Sequence, residues 1–255
     1  MTFRVRPTVV AAMALCAIAA TTVGCTPEPG YDAASAPPFA LTSADVVFTE
    51  GRDYPINLIF VAKDDDPIWT QLKGISLSDD VSFGPGQVDV IRGEGADGYF
   101  LGNITIELPI PVNGISFDSI SLDYEDQPTP LTVAVGSWDL RSVPQEDFVT
   151  ESAKAEVAAM ADCTGADLPV PTTVASIESL SSGSPHVAVD RAELEPKTST
   201  IDLSIHCSGD FDFYVISPSL DYIDQGGMSQ TTRFNPISIG LQDIDDADLQ
   251  KIRKR

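Results

Sequence analysis

The stretch SLDYEDQ at Ser121–Gln127 returns, with one letter changed, as SLDYIDQ at Ser219–Gln225. It does not return alone. ITIEL (Ile104–Leu108) comes back as STIDL (Ser199–Leu203) and VDVIR (Val88–Arg92) as VAVDR (Val187–Arg191). VAVGSWDL (Val133–Leu140) comes back as ISIGLQDI (Ile237–Ile244). The order is kept and the offset stays at about 100 residues, as expected of a duplicated unit whose loops have taken insertions. A unit of that length is a common single-domain size.

Most of the matched segments alternate apolar with polar residues, the pattern of a strand with one buried face. Ile104, Ile106, Leu108, Ile110 and Val112 share a face in the first copy, and Ile201, Leu203, Ile205 and Cys207 in the second. Turn signals such as Gly84-Pro85-Gly86, Asn113-Gly114 and Gly226-Gly227 separate the runs. The reading is all-β: two tandem duplicated antiparallel β-sandwich domains of immunoglobulin-like type, 42–143 and 150–255. A short C-terminal helix is expected over 243–254, with Asp243, Asp245 and Asp246 at its start and Lys251, Arg253 and Lys254 at its end. Glu151–Met160 has helical propensity, yet the duplication calls for an opening strand there, with Ala155, Val157, Ala159 and Ala161 on its inner face. In the heptads, Leu122 and Tyr124, like Leu220 and Tyr222, are expected to close the core.

The chain opens with Arg4 and Arg6, an apolar run from Val9 to Ala20, and then Thr22-Val23-Gly24-Cys25. The run is short of the roughly 20 apolar residues that span a bilayer and suits a secretory signal, 1–24. TVGC resembles the lipobox of bacterial lipoproteins, although Thr22 stands where Leu is usual. The resemblance covers residues 1–25 and implies cleavage before Cys25, which would carry the lipid. A Pro-, Ala- and Ser-rich segment, 25–41, would then be a flexible tether. The implied location is extracytoplasmic, held at the cell membrane through lipidated Cys25.

The formal charge is −23, and loss of Arg4 and Arg6 with the signal makes the mature chain −25. A surface of that sign repels nucleic acid, so no nucleic-acid partner is expected. Of four cysteines, Cys16 leaves with the signal and Cys25 is assigned to lipid. Cys163 and Cys207 remain and are expected to form a disulfide in an oxidising compartment. The duplication sets Cys207 at the position of Val112 and puts it on the core side.

Neither catalytic residues nor a metal or other cofactor is expected. There are two histidines, His186 in a turn and His206 on an exposed face, and neither H-E-x-x-H nor G-x-S-x-G occurs. Asp123, Glu125 and Asp126, with Asp221 and Asp224 in the second copy, invite calcium. Ile223 replaces Glu125 in the repeat, so they read as solvated loop acids. Asp64-Asp65-Asp66 reads as a hairpin loop. Trp69 reads as a packing residue and Trp138 as an interdomain contact, because its repeat counterpart is Gln242. The function expected is a lipid-anchored binding or envelope-scaffolding module with an unknown protein or envelope partner. The alternative is a secreted hydrolase or enzyme accessory subunit using loop carboxylates.

Overall fold

Alternation at Ile104–Leu108 and Ile201–Cys207 resolves into the middle strands of two separate sheets. In the computed structural model, which describes residues 36–148, 159–195, 197–241, 244 and 246–255, the chain is mostly β with one short C-terminal helix. The first half carries β1 (Thr42–Thr49), β2 (Asp53–Lys63), β3 (Leu72–Ser78), β4 (Val81–Phe83), β5 (Asp89–Ala96), β6 (Tyr99–Pro109), β7 (Ile115–Tyr124) and β8 (Leu131–Val143). The second carries β9 (Ala159–Met160), β10 (Gly165–Pro169), β11 (Val174–Ser181), β12 (Val187–Glu195) and β13 (Thr200–Cys207). It continues with β14 (Phe213–Ile216), β15 (Ser219–Asp224), β16 (Ser229–Arg233), β17 (Ile237–Ile239) and α1 (Asp246–Arg253).

Three three-stranded sheets, β2-β6-β5, β10-β13-β12 and β11-β15-β16, accompany an eight-stranded one ordered β4-β3-β7-β8-β1-β14-β17-β9. Ile104, Ile106 and Leu108 of β6 face Ile75, Ile120, Leu122 and Leu140 across the first core. Ile201, Leu203 and Ile205 of β13 face Leu220, Tyr222 and Ile237 across the second. Each is a β-sandwich, and each fully buried aliphatic side chain contributes about 1.5–3 kcal/mol. Tyr124 and Tyr222 are both buried at the expected places.

The pairing pattern recurs between the halves. β6 lies between β2 and β5 as β13 lies between β10 and β12, and β7 lies between β3 and β8 as β15 lies between β11 and β16. β1 runs parallel to β8, and β9 parallel to β17. What differs is continuity. Ile115 and Phe117 of β7 pair Leu140 and Trp138 of the unbroken β8. The corresponding hairpin of the second half is cut into β14 and β15 on one side, and β16 and β17 on the other. Pro218 and Pro236 stand in the two gaps, where the missing N–H cannot serve a ladder. The cut lets β14 and β17 join the eight-stranded sheet while β15 and β16 pair with β11.

Several expectations shift against these ladders. Val133 pairs Ile120, whereas its lettered match Ile237 pairs Ile216, nearer the other end of the hairpin. That match joins non-equivalent residues. Trp138, assigned to an interdomain contact on the same match, is instead buried in the first core, stacked on Phe117 with centroids 5.6 Å apart. Val112 lies past the end of β6, which Pro109 and Pro111 curtail, and is 96% exposed. Cys207 is instead still within its strand, as the last residue of β13, and packs against the second core. In β9 it is Met160 that is buried, not the Ala159–Ala161 face; Ala155 and Val157 lie outside the described residues. The helix starts at Asp246, with Asp246 and Asp248 in its first turn and Lys251 and Arg253 in its last.

The eight-stranded sheet passes from one half to the other through β1. Thr42, Ser43 and Ala44 pair Gly136, Ser137 and Trp138 on one side and Phe213, Tyr214 and Val215 on the other, both in parallel. Gly136 has φ +102°, and a Cβ there would sit 2.1 Å from the Thr42 carbonyl oxygen, so only glycine lets β1 close on β8. A third apolar cluster, Ala40, Ile59, Val61, Phe213 and Ile252, seats α1 on the outer face of β2. The described residues thus form one compact unit.

Candidate functional site

Cys163 and Cys207 are bonded, with Cα atoms 5.7 Å apart. Cys207 is carried at the end of β13 opposite Val187, and Cys163 lies just beyond β9. Both pack on the second core, so the bond ties the entry of the second half to its central strand. Cys25 and the rest of residues 1–35 lie outside the described residues.

The acids singled out in the sequence disperse. Asp221 accepts hydrogen bonds from the hydroxyls of Thr231 and Ser179, which together hold its carboxyl below the usual range. Asp224 accepts from the Met228 amide in a tight turn. Asp123, Glu125 and Asp126 are exposed. Asp66 caps the 3₁₀ turn Pro67–Trp69 by accepting from the Ile68 amide, and Asp64 pairs with Arg92, so DDD is a capped turn rather than a hairpin loop. Among the described residues no three potential ligands come together to hold a metal ion. No helix among them is long and apolar enough to cross a membrane. His206 is exposed, and His186 rests its ring 4.9 Å from that of Phe211. Trp69 packs on Phe60, and the Arg92 guanidinium lies over Phe100 at 3.6 Å.

Two features had no counterpart in the sequence reading. The first is Asp212, whose side chain is only 4% exposed, in the β13–β14 connection. It accepts from the Leu41 amide at 2.8 Å, from Lys251 Nζ at 2.9 Å and from Arg255 Nε at 3.1 Å. Burial pushes its carboxyl up, but the hydrogen bonds from Lys251, the Leu41 amide and Arg255, with the Lys251 charge, outweigh that and hold it below the ordinary carboxylate range. One carboxylate therefore clasps the entry to β1, the β13–β14 connection and α1 together.

The second is a groove at the open side of the first sandwich. It encloses about 630 Å³ between β4, the terminal strand of the eight-stranded sheet, and the ends of β2, β5 and β6. Its lining includes the apolar side chains of Val81, Phe83 and Leu108 and the acids Asp53, Asp80, Asp89 and Glu107. A Gly-Pro-Gly turn after β4 gave a signal for the bend, but nothing local announced that these four acids from four segments would line one groove.

No protein-family model and no curated protein sequence matches the chain. Among solved structures, mouse clustered PcdhgC3 EC1-3 aligns at 10% identity and TM-score 0.23, over 80% of this chain and 66% of that one. Extracellular cadherin domains 1-4 of protocadherin gamma B7 align at 15% identity and TM-score 0.22, over 78% of this chain and 48% of that one. Protocadherin gamma C5 EC1-3 aligns at 12% identity and TM-score 0.23.

Proposed function

We propose that the protein is a binding module of the cell envelope: two fused immunoglobulin-like sandwiches held away from the membrane by a tether and anchored through lipidated Cys25. The observation that carries the binding reading is the outer edge of β4, unpaired among the described residues, beside an open groove, a sheet edge of the kind extended segments add to. Continuity of the eight-stranded sheet, with the Asp212 clasp, favours presentation of that edge at a fixed orientation. The Cys163–Cys207 bond suits an oxidising, extracytoplasmic compartment. The lipid anchor rests on TVGC and the segment that follows it.

The test is made in intact cells. The wild-type chain should fractionate with membranes, be labelled by an impermeant reagent, and give one reproducible crosslinked adduct. A chain found in the cytoplasm, or one that crosslinks to nothing at the cell surface, overturns the proposal.

A further inference from the structure

We propose that the β4 groove docks an extended segment of a partner protein that carries lysine or arginine. This rests on the binding-module reading and names its partner chemistry. Among the described residues β4 pairs with β3 alone and ends the eight-stranded sheet. The Phe83 carbonyl is turned to β3, where it would lie 2.4 Å from a Cβ on Gly74. Backbone groups alternate along a strand, so those of Ser82 point to the outer edge and stand ready for an added strand.

An added strand presents side chains alternately to two faces. The groove lining offers Val81, Phe83 and Leu108 at the end of the first core, which apolar residues of the guest would meet. The same lining carries Asp53, Asp80, Asp89 and Glu107, four carboxylates with no Lys, Arg or His among the lining residues. None of the four enters an ion pair among the described residues. Exposed edges are commonly blunted by lysine or proline, and positions 80–83 carry neither. Their protection is negative charge, which turns away a second copy of this acidic chain and admits a basic segment.

The probe is a fluorescent eight-residue peptide alternating valine and lysine, titrated into the full chain in detergent and read by polarisation. A valine–glutamate peptide is the comparison. The lysine peptide should bind, and more weakly as salt rises. Binding should fall at least tenfold in the Asp53→Asn/Asp80→Asn/Asp89→Asn/Glu107→Gln variant. Ser82→Pro, which removes the outward N–H while keeping all four charges, should lower it by a similar factor, with the melting temperature checked for both. An equal set on the second half, Asp167→Asn/Asp190→Asn/Glu193→Gln/Glu195→Gln, should leave binding unchanged. Equal loss in that second set, equal binding of the glutamate peptide, undiminished binding in Ser82→Pro, or self-association through β4 would each overturn the assignment. Crosslinking in intact cells separates the two levels: an adduct that survives in the groove variants keeps the binding-module reading and removes the groove.

Discussion

Loss of the Cys163–Cys207 bond should be the largest single change to the stability of the second half. The bond spans a sequence separation of 44. Closing a loop of that length removes about 13 cal/mol/K from the unfolded chain, or about 4 kcal/mol at 25 °C. The 5.7 Å between the Cα atoms lies in the ordinary range for a disulfide, so native strain gives little of this back. In a chain of this size 1 kcal/mol moves Tm by about 2–4 °C, so the Cys163→Ala/Cys207→Ala variant should melt about 8–16 °C lower. Scanning calorimetry of the oxidised wild type against the variant, at one pH, reads the shift. Hydrogen exchange should locate it: amides of β12 and β13 lose protection, while those of β2 and β6, whose core contains no residue of the loop, keep theirs. A variant melting within about 2 °C of wild type would refute the reasoning, as would alkylatable thiols at both positions in the untreated protein.

Three further outcomes are expected. Asp212 has a lowered folded pKa, so its contribution is fully present above the unfolded value of about 3.9 and is lost as pH falls through the folded one. Acid titrations followed by circular dichroism should therefore show wild type losing more stability than Asp212→Asn across that window; parallel curves would argue against the clasp. Gly136→Ala should cost at least about 2 kcal/mol and deprotect the amides of β1 in hydrogen exchange, since its Cβ meets the Thr42 carbonyl. Cys25→Ala should abolish labelling by a fatty-acid probe and release the chain from the membrane fraction; retention with label would end the lipobox reading.

Much of the architecture was legible because alternation is a local record of burial. Ile104–Leu108 and Ile201–Cys207 each announced a strand with one buried face, and the order of repeated segments announced that the pairing scheme would recur. Letter matching failed where two ladders differ in continuity. VAVGSWDL and ISIGLQDI look alike, yet Pro218 and Pro236 break the second hairpin, so likeness of composition put Val133 and Ile237 in false register. Asp97-Gly98 was a missed local signal: both residues have positive φ and join β5 to β6 as a two-residue hairpin turn. Asp212 could not be picked out from the 38 acids, because its burial is made by Leu41, Lys251 and Arg255, all remote in sequence. The groove was hidden for the same reason.

The place of β1 in the sheet sets a timetable for folding. β1 leads the described strands in the chain, yet one of its two edges is completed only by β14, and the Leu41–Asp212 hydrogen bond closes a span of 171 residues. Contacts that distant slow folding, since so much chain must be ordered before they form. If the chain emerges from a membrane N-terminus first, β1 waits with an edge unpaired until nearly all the rest has crossed. An exported chain gains from that delay, because it stays loose while it is threaded. The same delay exposes the edge of β1 to wrong partners, and a chain truncated before Phe213 should aggregate rather than fold as an independent first half.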